Sequence, residues 1–138
     1  MATDLVESIV EFVKSIWATI KKIVNPDKEI KRADVVSFFQ DPARAQYLAD
    51  DAYVCAAVLS SGDDGVEGSM AQIVACVVIK KDGWAPLQEH TMACQGDKLA
   101  ADLVTQFGGK KLIVFRGKAQ VQMRMASSVP VPHATIEL

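Results

Sequence analysis

Ala71-Gln-Ile-Val-Ala-Cys-Val-Val-Ile-Lys80 carries β-branched residues at Ile73, Val74, Val77, Val78 and Ile79. Such side chains are stiff at χ1 and pack well on a pleated surface. A strongly β-branched run of this kind predicts a central strand. Tyr53-Val-Cys-Ala-Ala-Val-Leu59 is a shorter apolar run of the same kind and reads as a buried strand. Between the two, Gly62, Gly65 and Gly68 mark Ser60–Gly68 as a loop. On the other side, Asp82-Gly83 is a hairpin signal. The chain then returns as a strand from Trp84 to about Cys94, with Pro86 indicating an edge position or an irregular entry.

Asp97 to Phe107 changes period. Leu99, Ala100, Leu103, Val104 and Phe107 share one helical face, and Gly108-Gly109 ends it. Leu112-Ile-Val-Phe115 reads as another strand, and Arg116-Gly-Lys118 as a turn. In Ala119–Met125, Val121, Met123 and Met125 alternate with Gln120, Gln122 and Arg124, the pattern of a half-buried strand. Val129-Pro-Val-Pro132 is extended, and Thr135–Leu138 is a candidate last edge strand.

Upstream, Val6, Ile9, Val13, Ile16, Ile20 and Ile23 fall in alternating steps of three and four. Val10, Trp17 and Val24 form a second stripe, with Leu5 and Phe12 on the other flank. This spacing predicts one long amphipathic helix, capped by Asp4 with Glu7 and stopped by Asn25-Pro26. A charged connector follows from Asp27 to Asp34, and Val35, Val36, Phe38 and Phe39 form an apolar cluster that anchors it. Asp41-Pro42 starts a short helix reaching about Ala49.

The expected fold is therefore α+β, in the order α-α-β-β-β-α-β-β. It comprises a mostly antiparallel five-stranded sheet with its helices packed on one face. The organisation reads as an N-terminal helix (1–25), a connector with a short helix (26–50) and a sheet domain (51–138), together one structural domain.

At 138 residues with 50% hydrophobic and 23% charged residues, the chain has an ordinary globular composition. A net charge of −2 gives no bulk attraction to nucleic acid or anionic lipid. Three cysteines without a C-x-x-C pair argue against a disulfide framework. Asp4 and Glu7 stand where a signal peptide would be basic, and charges interrupt the apolar N-terminus, so a cytoplasmic location is expected.

Few residues suggest chemistry. The Ser60–Gly68 loop holds Asp63, Asp64 and Glu67, which would repel a phosphate, and it lacks EF-hand spacing. His90 and Cys94 share a strand but would lie about 13 Å apart, too far for one metal or for a nucleophile–base pair. Cys55, Cys76 and Cys94 read as buried thiols, and nothing places His133 beside them. No metal, cofactor or catalytic residue is assigned. Lys110, Lys111, Arg116, Lys118 and Arg124 form a basic cluster that offers anion or nucleic-acid contacts, although edge protection by lysines accounts for the same residues.

The function expected from these features is a non-enzymatic interaction module. It would associate with itself or another protein through Val6, Ile9, Val13, Ile16, Trp17, Ile20 and Ile23. The alternatives are a peripheral protein placing the same helix and the basic stretch 21–32 on an anionic membrane, and a small-molecule sensor or enzyme with a pocket between helix and sheet.

Overall fold

The computed structural model describes residues 4–61, 71–117, 129 and 131–138. Strands β3 (Tyr53–Ser61), β4 (Gln72–Lys80) and β5 (Ala85–Gly96) form an antiparallel meander, as the β-branched runs require. β7 (Leu112–Arg116) pairs antiparallel with β3 on the far side. Two parallel edges complete the sheet: β1 (Lys21–Val24) lies on β5, and β8 (Ala134–Glu137) lies on β7. The order is β1-β5-β4-β3-β7-β8, so among the described residues the main sheet is six-stranded and mixed. The five-stranded, mostly antiparallel expectation is corrected by these parallel edges. A separate two-residue pairing joins β2 (Glu29–Ile30) to β6 (Lys98–Leu99). The alternating stretch Ala119–Met125 falls outside the described residues, as does most of the Ser60–Gly68 loop.

Alternation divides the central strands between two cores. Val54, Ala56 and Val58 of β3, with Ile73, Ala75, Val77 and Ile79 of β4, face one side. Cys55 and Ala57, with Val74, Cys76 and Val78, face the other. Helix α1 (Asp4–Ser15) covers the first face through β3 and β5. α2 (Arg32–Gln40) covers the second face against β4 and β5, and α4 (Ala101–Phe107) covers it against β7 and β8. Helices therefore lie on both faces, not on one. The doubly apolar β4 sequence demands that result, because one uncovered face would leave Val74, Cys76 and Val78 in water.

The long N-terminal helix is also corrected. α1 ends at Ser15, whose Oγ donates to Phe12 O at 2.6 Å, and Thr19 Oγ1 donates to Ile16 O at 2.9 Å. These hydroxyls add a second bond to carbonyls that already accept the Ile16 and Thr19 N–H groups at the helix end. Lys21–Val24 instead completes the ladder along Met92–Gln95 of β5. Helix propensity differs among ordinary residues by only a few tenths of a kcal/mol, about the size of one net backbone hydrogen bond. A row of unpaired β5 groups outweighs it.

α2 is built on the Val35, Val36, Phe38 and Phe39 cluster, and all four are buried. Phe39 packs on Phe115 at 4.6 Å between ring centroids and meets Phe38 edge-on at 5.1 Å. These contacts fix the C-terminal end of α2 over the sheet. Asp41 then caps α3 (Pro42–Ala45), accepting the Ala43 N–H at 2.9 Å. A short 3₁₀ turn, Gln46–Ala49, leads into β3.

Candidate functional site

β5 pairs with β1 only over Met92–Gln95 and carries a large bulge just before that. Val77 faces Thr91 and Ile79 faces Pro86, so Val78 alone stands opposite Leu87–His90. Thr91 Oγ1 donates to Leu87 O at 2.8 Å and ties the bulge at its base. Bulges of this kind re-aim side chains and occur disproportionately beside functional sites. Pro86 sits in the half of β5 that β1 does not reach, which reconciles the proline with an interior strand.

Between this bulge, the start of β1 and the C-terminal end of α2 lies a cleft of about 630 Å³. That volume is within the usual range of small-molecule sites. Its apolar surface comes from Ile20, Ile23, Phe38 and Met92. Thr19, Ser37, Gln88 and Thr91 add polar groups. The charged lining is Lys21, Arg44, Asp41 and Glu89, two of each sign.

The register explains why these groups meet. Lys21 and Ile23 stand beside Met92 and Cys94 in the parallel pair, so all four share the face that α2 covers. α2 supplies Ser37 and Phe38, and the turn into α3 brings Asp41 and Arg44 under them. Arg44 is the most constrained member. Its side chain is only 17% exposed, and its guanidinium lies 3.9 Å from the Phe38 ring centroid. Nε donates to Phe38 O at 2.7 Å, and Nη2 lies 3.2 Å from Asp41 Oδ2. Asp41 is thus occupied on both oxygens.

Near the same bulge, His90 stacks edge-on with Tyr47 at 5.2 Å, and Tyr47 meets Tyr53 at 4.7 Å. His90 Nδ1 is buried without a hydrogen-bond partner. His90 and Cys94 do not converge with other ligands: among the described residues, no three His, Cys, Asp or Glu side chains are placed to hold a metal ion. The three cysteines are buried on the α2 face. Burial pushes the Cys55 thiol up to about 12 and holds that of Cys76 well above the usual range, with a Cys94 hydrogen bond acting in the same direction. Thiols held protonated in this way are poor nucleophiles.

The heptad residues have mostly entered the domain's own core. Ile9, Val13 and Ile20 are buried against the β3–β4 face. Val6, Ile16 and Trp17 are half-buried at its margin, and Ile23 packs into the opposite core. Lys22 folds back over Trp17, its Nζ lying 4.9 Å from the ring centroid and donating to Trp17 O. The rest of the basic stretch 21–32 is dispersed: Lys31 pairs with Asp27 at 2.9 Å, and Arg32 Nε donates to Gln106 at 2.8 Å. No helix among the described residues is long and apolar enough to cross a membrane.

The C-terminal basic cluster is not gathered at one point. Lys110 and Lys111 are exposed in the turn before β7 and border a groove of about 430 Å³ with Val6, Glu7, Val131 and Pro132. Arg116 ends β7, roughly 16 Å from Lys111 at the usual strand rise. Lys118 and Arg124 lie outside the described residues. His133 Nδ1 sits 2.8 Å from Val131 O, away from the cysteines.

Sequence reasoning missed Arg44, Ser37, Glu89 and Lys21 as members of one site. The available signal was Asp41-Pro-Ala-Arg44, in which a capping aspartate and an arginine three residues on hold each other beside Phe38. Comparison of the chain with protein-family models, curated proteins and solved structures finds no match. The structure shows an α+β fold, and the cleft's chemistry is the basis for a functional reading.

Proposed function

We propose that this protein binds a small molecule in the cleft between α2 and the β1–β5 corner of the sheet, and acts as a sensor or carrier domain. The observation that carries this reading is the cleft itself: about 630 Å³, apolar at Ile20, Ile23, Phe38 and Met92, and rimmed by convergent polar and charged groups. It forms where the sheet is least regular, at a bulge and beside a short edge strand.

Ser37 is exposed on α2 and lines the cleft, so Ser37→Trp should plug it without disturbing the core. Equilibrium dialysis of the full chain against a metabolite pool, read by mass spectrometry, tests the reading. Retention of particular compounds by the native protein and not by Ser37→Trp supports it; equal retention by both would overturn it.

A second reading, self-association through the N-terminal segment, is favoured by one observation. β1 is an edge strand, and Val24 on it is 48% exposed. Lys21, Lys22 and Pro26 weaken such an edge as a pairing template. Light scattering across a tenfold concentration range separates the cases: a dimer abolished by Val24→Lys supports assembly, and a monomer throughout excludes it.

A further inference from the structure

We infer that the cleft takes a small organic monocarboxylate, with its carboxylate on the end-on edge of the Arg44 guanidinium and its apolar body over Phe38, Ile23 and Met92; this rests on the small-molecule reading above. The first ground is what Arg44 already does. Its Nε donates to Phe38 O and its Nη2 lies against Asp41. Nη1 makes no hydrogen bond or ion pair with a described residue. Nη1 is not sealed in the protein, since His90 Nδ1 is the one buried, unpartnered side-chain nitrogen or oxygen among the described residues. Arg44 itself lines the cleft.

The second ground is preorganisation. Stacking on Phe38, the Nε bond and the Asp41 pair fix the guanidinium before any ligand arrives. A fixed fork presents two parallel N–H groups at the spacing of a carboxylate's oxygens, giving two charge-assisted bonds with little further loss of side-chain freedom.

Charge balance selects among anions. Asp41 already offsets part of the Arg44 charge, and the lining also holds Lys21 and Glu89, so the four charged groups are neutral in sum. A dianionic phosphate would enter an uncompensated site and meet the Glu89 carboxylate. A monoanion needs one open guanidinium edge, which is what Arg44 offers. The apolar residues of the lining favour a hydrocarbon body by removing it from water.

The test titrates the full-length protein with hexanoate, hexanol, hexylammonium and inorganic phosphate, monitoring the Ile23 and Met92 methyl resonances and the Arg44 Nε–H signal by NMR. Hexanoate should saturate all three signals and bind at least about tenfold more tightly than hexanol. Arg44→Lys keeps the charge but loses the fork, and should weaken hexanoate by about tenfold while leaving hexanol unchanged. The native Arg44 Nε–H signal reads engagement even if that variant folds poorly. Equal or tighter binding of hexanol or hexylammonium at the same methyls would overturn the carboxylate assignment and leave the small-molecule cleft standing. Preference for phosphate would likewise overturn the assignment. Silence of the cleft methyls to every probe would overturn both.

Discussion

Ile9→Ala distinguishes a helix that belongs to its own domain from one displayed for partners. Ile9 is 0% exposed at the middle of α1, packed on the face formed by β3 and β5. The substitution removes three buried carbons, a transfer loss of about 2.4 kcal/mol. A cavity near 75 Å³ would add up to about 1.8 kcal/mol, and partial collapse should roughly halve that. Alanine's better helix propensity returns about 0.4 kcal/mol. The net loss is about 3 kcal/mol, which in a chain of this length lowers Tm by roughly 10 °C. Val6→Ala on the same seam, where the side chain is half-buried, should cost about 1 kcal/mol or less. Thermal and urea melts measure both, with light scattering on the same samples. An Ile9→Ala protein melting within about 2 °C of the native one, but with a different molar mass, would refute the packing and assign the seam to an interface.

Gly96→Ala should destabilise by about 1–3 kcal/mol, because the new Cβ would stand 2.7 Å from Lys28 O and 3.1 Å from Ile30 Cγ1, forcing the β2–β6 corner apart; urea denaturation reads this. The thiols should resist Ellman's reagent in the folded protein at pH 8 and react fully in denaturant, as burial holds Cys55 near 12 and Cys76 well above its usual range. The same shifts set a sign: the folded state retains thiol protons that the unfolded chain releases, so their contribution is complete below about pH 8.5 and is lost as pH rises toward 12. Denaturation midpoints between pH 8 and 11 should therefore fall, and a Cys55→Ala variant should show a shallower decline. Phe39→Ala should cost about 3–5 kcal/mol through its lost packing on Phe115, and should also weaken cleft ligands by loosening α2; melts and hexanoate titration check the two effects.

Much of the architecture was legible where local and global preferences agree. The runs at Tyr53–Leu59, Ala71–Lys80 and Leu112–Phe115 correspond to β3, β4 and β7, and Asp82-Gly83 does turn the chain, with Gly83 at φ +76°. Thr135–Leu138 largely coincides with the edge strand β8. The second half of the N-terminal heptad was misread for a physical reason. Ile20 and Ile23 satisfy a three-residue helical step, but Lys21–Val24 also suits a short edge strand, and the decision came from the distant β5 ladder. Asp97–Leu99 was likewise read as helix, whereas β6 pairs with β2 and α4 begins at Ala101. Parallel pairings join residues far apart in the chain and leave no short-range turn signal, so the β1 edge and the parallel direction of both edges are not legible in the sequence. The cleft was invisible for the same reason: Lys21, Arg44 and Glu89 lie on three separate segments and meet only through that register.

The most direct test of a ligand-binding cleft at this corner is an intermolecular NOE measurement on the full-length protein with bound hexanoate. Cross-peaks from the ligand methylenes to the Met92 methyl and the Phe38 ring are expected. Cross-peaks confined to Val6, Val131 and Pro132, at the groove beside Lys110, would place binding elsewhere and contradict it.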